Sequence, residues 1–228
     1  MNLFLKLILS ANLLASFHLN FASEQISSSL ELFDYQNTPI KLTILIATIE
    51  KRSELFTKLY QKLIAQLKTY GLETAVEILF YKDNQTITLG QKRNWLVHHA
   101  KGEYVCFLDD DDDICDDYLK LLFSACNSNP DCVSCTGIIF MPNKKPRIFV
   151  HSLKYKRIFI DSNGISCSPI YHINPVRKSI AIQVPFPEQN RKEDDIWSKQ
   201  MMDRKLLNTE VEIKQPYYFY HFDPNKKI

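Results

Sequence analysis

Three apolar, β-branched runs fall within about seventy residues: "KLTILIATI" (41–49), "AVEILFY" (75–81) and "YVCFL" (104–108). Each is too short for a buried helix, and each reads as a strand covered on both faces. Between the first two, Leu55, Leu59, Leu63, Ile64 and Leu67 recur at helical spacing, and Gly71 is placed to end that helix. Between the second and third, "QKRNWLVHHA" (91–100) reads as another helix. Strand, helix, strand, helix, strand in so short a span requires parallel pairing through right-handed crossovers. An α/β architecture of this kind receives ligands at the carboxyl ends of its strands.

The third strand runs straight into acid, in "EYVCFLDDDDDICDDYL" (103–119). Five adjacent carboxylates repel one another unless something positive gathers them, and a divalent cation at the sheet rim is the simplest agent. An extended segment would aim Asp109, Asp111 and Asp113 to one side and Asp110 and Asp112 to the other. A calcium loop of the EF-hand type is excluded twice, because Ile114 stands where the turn glycine belongs and Lys120 where the closing glutamate belongs. Asp116 and Asp117 read as the cap of the next helix.

The remaining chain is less periodic. "DYLKLLFSAC" (117–126) reads as a helix, "CVSCTGIIFM" (132–141) as one strand, and "RIFVHSL" and "KRIFI" as two more. "EDDIWSKQMMDRKLL" (193–207) reads as a helix with acids in its first turn, where the helix dipole favours them. "EVEIKQPYYFYHF" reads as an edge strand broken at Pro216. Trp95 and Trp197 read as core aromatics.

With 228 residues and 45% hydrophobic content, one domain over 40–228 is the expectation. Its 28 basic and 26 acidic side chains are interleaved, giving a net charge of +2 and no field that would attract a nucleic acid. Residues 1–23 read as a signal peptide or membrane anchor, with one lysine (Lys6) before an apolar stretch that ends in small residues, and 24–39 as a linker. That pattern points to an exported or membrane-associated protein, with the cytoplasmic side left open. Six cysteines would permit 15 pairings if all were oxidised, and spacing does not choose among them. Cys106 reads as a buried free thiol, and Cys132 with Cys135 as strand or loop thiols without a second pair to complete a zinc site.

The ordered set "GQKRN", "AKGEY", "LDDDDD" and "EDD" resembles the central segment of GT-A glycosyltransferases, family 2 especially, over about residues 41–205. "LTILIATIEKR" is similar to that family's first strand, with Ala47 and Glu50 replacing its usual proline and asparagine. The resemblance implies a GT-A (Rossmann-like) nucleotide-diphospho-sugar transferase fold, a mixed, mostly parallel central sheet flanked by helices. It implies transfer of a sugar from a nucleotide-diphosphate donor, a UDP-sugar in the first instance, to a hydroxyl of a glycan, lipid or protein acceptor, with inversion, and with Mn²⁺ or Mg²⁺ as cofactor.

By the same resemblance, Asp111 and Asp109 would hold the metal, with Asp110 and Asp112 as second choices and His221 completing its shell, and Thr48, Glu50, Asp83, Lys92, Arg93, Asp109 and Asp110 would bind the donor. Asp83 would accept a hydrogen bond from the base. Asp194, or Asp195, would take the proton from the acceptor hydroxyl. Glu193, His172 and Arg177 would line the acceptor pocket. Two rivals remain. A sugar nucleotidyltransferase also uses paired aspartates, but it needs a glycine-rich loop after the first strand, and "ATIEKRSEL" has no glycine. A carbohydrate- or cation-binding domain without catalysis is the other.

Overall fold

The computed structural model describes residues 39–222, so the readings of 1–23 and of nearly all of 24–39 lie outside the described residues. Strands β1 (Leu42–Ile49), β2 (Val76–Asp83) and β3 (Tyr104–Phe107) form at the three apolar runs. β1 lies between the other two and pairs parallel with both, Ile44 standing opposite Ile78 on one side and Cys106 on the other. Helix α1 (Ser53–Tyr70) follows a single 3₁₀ turn and is stopped by Gly71 at φ 62°, a left-handed conformation that glycine adopts without steric cost. Helix α2 (Leu89–His99) starts on a capping box, in which the Thr88 side chain accepts from the Gln91 amide and the Gln91 side chain accepts from that of Thr88.

The chain continues through β4 (Asp113–Ile114), α3 (Tyr118–Asn127), β5 (Cys132–Val133), β6 (Cys135–Phe140), β7 (Arg147–His151), β8 (Phe159–Ile160) and β9 (Ser166–Ser168). It ends its described course with β10 (Val176–Arg177), α4 (Lys178–Ala181), α5 (Glu193–Asp203), β11 (Glu210–Val211) and β12 (Tyr218–His221). The central sheet has the order β11-β5-β10-β3-β1-β2 and is parallel except for β10, which runs against both β3 and β5. A second sheet has the order β4-β12-β6-β7-β9-β8.

Alternate residues of the central strands sort to two sides. Leu42, Ile44, Ile46, Tyr104 and Cys106 pack with α1 and α3, whereas Leu45, Val105 and Phe107 pack with α2 and α5. Burial on both faces is what the unbroken apolar runs required, and each fully buried leucine or isoleucine there contributes about 1.5–3 kcal/mol. Among the described residues no helix is long and apolar enough to cross a membrane. All six cysteines are free, and burial pushes the Cys106 thiol up to about 12, which makes it inert at neutral pH.

Several expectations for the second half are corrected. "CVSCTGIIFM" is not one strand: Ser134, fully buried, divides β5 in the central sheet from β6 in the second sheet. Its three polar groups are all engaged, the amide donating to Val211 O, the hydroxyl accepting from Ile213 N and the carbonyl accepting from the Tyr217 hydroxyl. "EVEIKQPYYFYHF" likewise divides, because Pro216 has no N–H to offer a ladder and lies between β11 and β12. β12 is no edge strand; it sits between β4 and β6. The helix expected to reach Leu207 stops at Asp203. Trp197 is buried and stacked on Phe186, as expected, but Trp95 lies at the surface, stacked on His99 with centroids 3.9 Å apart.

Candidate active site

The acidic run leaves β3 as a tight turn, with the Asp112 amide donating to the Asp109 carbonyl at 3.2 Å. The expected side-to-side alternation of an extended segment is therefore lost, and each carboxylate goes to its own partner. Asp110, almost fully buried, accepts from the Thr48 hydroxyl at 2.7 Å and from Arg52 at 2.8 Å. Arg52 also stands 3.8 Å from Asp111. Asp109 meets Arg93 and His172 Nε2, each at 3.3 Å, and Asp113 meets Lys62 at 3.0 Å. Three cations from two helices and a 3₁₀ turn thus hold most of the cluster together.

Asp112 differs. It is buried and accepts from neutral donors, the Tyr218 hydroxyl at 2.6 Å and the His221 amide at 3.3 Å. Burial first, and then the charge on Asp109, push its carboxyl up to about 8. The folded chain then holds a proton that the unfolded chain releases near pH 4, so the site costs stability as pH rises from about 4 to 8 and costs nothing below that window. Asp112→Asn is accordingly expected to raise the melting temperature of metal-free protein at pH 8 by several degrees and to leave it nearly unchanged at pH 4, as scanning calorimetry at the two pH values would read. A variant that melts lower at pH 8 would contradict the assignment.

On one side of this turn lies a cavity of about 440 Å³, lined by Thr48, Arg52, Gln85, Lys92, Asp110 and Arg191 among others. Its three cations against one carboxylate suit an anionic ligand. Lys92 is buried, pairs with Asp83, and points its ammonium toward the Thr48 carbonyl. Burial works against ionisation of Asp83, but Lys92 and the donors of Thr86 and Ile87 outweigh it and bring the carboxyl down to about 2. Asp83, expected to contact the base, is thus engaged by Lys92 and the 86–87 turn, and it is Lys92 rather than Asp83 that lines the cavity. Glu50, expected to bind the donor, pairs with Lys82 at 2.9 Å. Arg52, Gln85, Asn190 and Arg191 were missed. Arg52 carried a signal, "EKR" directly after the first strand, but the 190–191 segment reaches the cavity only because the Gly90 amide donates to Gln189 O and the Leu89 amide to the Asn190 side chain.

On the other side lies a cavity of about 270 Å³ whose lining includes Asp109, Asp112, Tyr171, His172, Asp194 and Tyr220. His172 links the two acid groups, with Nε2 3.3 Å from Asp109 and Nδ1 3.8 Å from Asp194. Asp195 accepts from the Tyr171 hydroxyl at 2.7 Å. Glu193 is buried and ion-paired with Arg93 at 2.9 Å, and burial raises its carboxyl. It braces the site from behind and is not among the residues lining this cavity, contrary to expectation. Arg93 itself is buried between the rings of Phe107 and Phe186, 5.5 Å from each, and spans from Asp109 to Glu193. It too is framework and is absent from the lining of the basic cavity.

Arg177 is the remaining correction. Its partner across the sheet is Tyr104, at the far end of β3 from the acids, and it binds Glu103 and the carbonyls of Asn129 and Pro130. A third cavity, about 460 Å³, is lined by Lys58, Lys62, Asp110 to Asp113 and His221, whose ring is stacked on Phe140. Among the described residues no three His, Cys, Asp or Glu side chains converge as a complete metal cage.

A mostly parallel sheet with a carboxylate turn behind its third strand and cavities on both sides of it is the layout of a GT-A domain. The profile of glycosyl transferase family 2 matches residues 57–184, more than half of the chain, and the chain belongs to that family. That span covers Asp83, Arg93 and the acidic turn but ends before Glu193. No curated protein matches the sequence. Among solved structures, the chain is similar to S. aureus TarS 1-349, with 16% identity and a TM-score of 0.56 over 80% of this chain and 60% of that one. It is similar as well to the same TarS piece in complex with UDP-GlcNAc (15%, TM-score 0.57, 82% and 60%) and with UDP (16%, TM-score 0.55, 81% and 61%). The likeness establishes the GT-A fold, and the chain spans about 60% of the length of those TarS structures.

Proposed function

We propose that this chain is a nucleotide-sugar-dependent glycosyltransferase, with a UDP-sugar as donor. The observation that carries the reading is the position of the 109–112 turn: a cation-rich cavity on one side, and on the other an aromatic cavity that presents Asp194. The complexes of TarS with UDP-GlcNAc and UDP support the choice of donor. Arg52, Lys92 and Arg191 receive the diphosphate, and the glycine-free loop after β1 keeps the nucleotidyltransferase reading behind this one.

The carboxylates suit a hard cation. Mg²⁺ takes one or two carboxylates and completes its shell with substrate phosphates and water, so an incomplete protein cage beside a cationic cavity fits it, as it fits Mn²⁺. Asp109 and Asp111 would hold the metal, with His221 at the adjoining cavity. When bound it neutralises the leaving diphosphate as a Lewis acid. Asp194 takes the proton of the acceptor hydroxyl, with His172 standing between it and Asp109. A base across the turn from the diphosphate gives attack on the opposite face of the sugar and hence inversion. Residues 1–23 would carry the enzyme to, or hold it at, a membrane.

The test is titration calorimetry of the full chain with UDP in the presence and absence of Mn²⁺, followed by UDP release from a panel of UDP-sugars. Micromolar UDP binding that strengthens with Mn²⁺, together with UDP release, is expected. Binding without release from any donor would replace the enzyme by a binding domain on the same fold. No binding of either would remove the proposal.

A further inference from the structure

We infer that the outward face of the second sheet, with its β8 edge, is a docking surface for an anionic lipid bilayer. The two faces of this sheet are fixed by register. Phe149 and Tyr218 face the cavity that holds Asp194, whereas Ile148 stands opposite Ile138, and Ile138 opposite Phe219, on the face turned away. Ile148 on that face is 43% exposed, and Phe159, level with Val150 through Cys167, is 38% exposed on the same face; at the same edge Ile158 and Ile160, 63% and 56% exposed, project from the opposite face, Ile160 standing level with Phe149 through Ser166. Three consecutive apolar residues open to water at the end of a sheet are not placed there by folding of this domain.

Charge identifies what covers them. Residues 141–165 hold six cations, Lys144, Lys145, Arg147, Lys154, Lys156 and Arg157, and one acid, Asp161, so this one segment exceeds the net charge of the entire chain. Of the six, only Lys154 is ion-paired among the described residues, with Glu212 at 3.0 Å. Asp161 is spent on its own turn, accepting from the Asn163 and Ile165 amides at 2.9 Å each. β8 runs antiparallel to β9, and β9 parallel to β7, so Lys144 and Lys145 flank one end of the apolar strip and Lys156 and Arg157 flank the other.

A second copy of the chain is the poorer occupant. A two-fold contact would set one cationic rim against another, and an added strand would cover only one face of residues exposed on both. Phospholipid satisfies both features, since its acyl boundary takes apolar side chains from either face while anionic headgroups meet the cations.

Co-sedimentation of the full chain with phosphatidylcholine vesicles, with and without phosphatidylserine, tests the inference separately from catalysis. Binding is expected to need phosphatidylserine and to fall as salt is raised. The apolar segment at 1–23 has a single lysine, so binding through it alone would be insensitive to both. Lys156→Ala with Arg157→Ala is expected to weaken binding about 25-fold, at about fivefold per cation. Ile158→Ser with Ile160→Ser is expected to weaken it at least tenfold while circular dichroism is unchanged, as befits exposed positions. Equal binding to neutral vesicles, binding by the double variants at the level of the unsubstituted chain, or a self-association that the variants abolish without any vesicle binding would each overturn it. Should a variant fail to fold, the salt and phosphatidylserine dependence of the unsubstituted chain decides.

Discussion

Asp194→Asn is expected to lower sugar transfer by about 10²- to 10⁴-fold while the affinity for UDP stays as it was. The carboxylate lines the aromatic cavity rather than the cationic one, so its loss leaves the diphosphate contacts intact. Amide nitrogen in place of an anionic oxygen removes the proton acceptor and preserves shape, which confines the change to the turnover number. Asp195→Asn is expected to do far less to turnover, because that carboxylate is already committed to the Tyr171 hydroxyl. Single-turnover kinetics alongside UDP titration would separate the two. If Asp195→Asn proved the crippling substitution and Asp194→Asn the mild one, the base would have been assigned to the wrong residue.

Arg93→Met carries the largest expected effect on stability, a loss of about 3–5 kcal/mol. The guanidinium is buried and joins Asp109 to Glu193 between two aromatic rings, so its removal strands the Glu193 carboxylate in the interior. In a domain of this size such a loss lowers the melting temperature by roughly 10 °C or more. Adding Glu193→Gln to Arg93→Met is expected to recover part of it, since the neutral amide no longer needs a counter-charge. Arg93→Lys should also fall well short of the original, because an ammonium cannot reach both acids as a planar fork or stack between rings. A melting temperature for Arg93→Met close to that of the unsubstituted chain would show that the pair contributes nothing.

The first half of the fold was legible because its strands are long enough for a period to show. β1 and β2 each run eight residues, and α1 has apolar residues at every turn, ending on a glycine in the left-handed region. The second sheet was not legible for the opposite reason. β4 and β8 are two residues long and β9 three, too short for any alternation, and they are strands only because distant neighbours pair with them. Ser134 divides one apparent strand between two sheets through contacts with Val211, Ile213 and Tyr217, none of which a local window contains.

The candidate site divides the same way. That carboxylates would gather where the third strand ends, and that a second acidic group would open a late helix, followed from the order of residues along the chain. Which carboxylate meets which partner did not. Asp110 found Arg52 from 58 residues away and Asp112 found Tyr218 from 106, while Asp83 and Glu50 were drawn off by neighbouring lysines and Arg177 by Glu103. Backbone periodicity is a local property, so strands, helices and the address of the acids can be read in sequence. Charge pairing inside a low-dielectric rim depends on distances of a few ångströms between remote segments, and only the packed chain sets those.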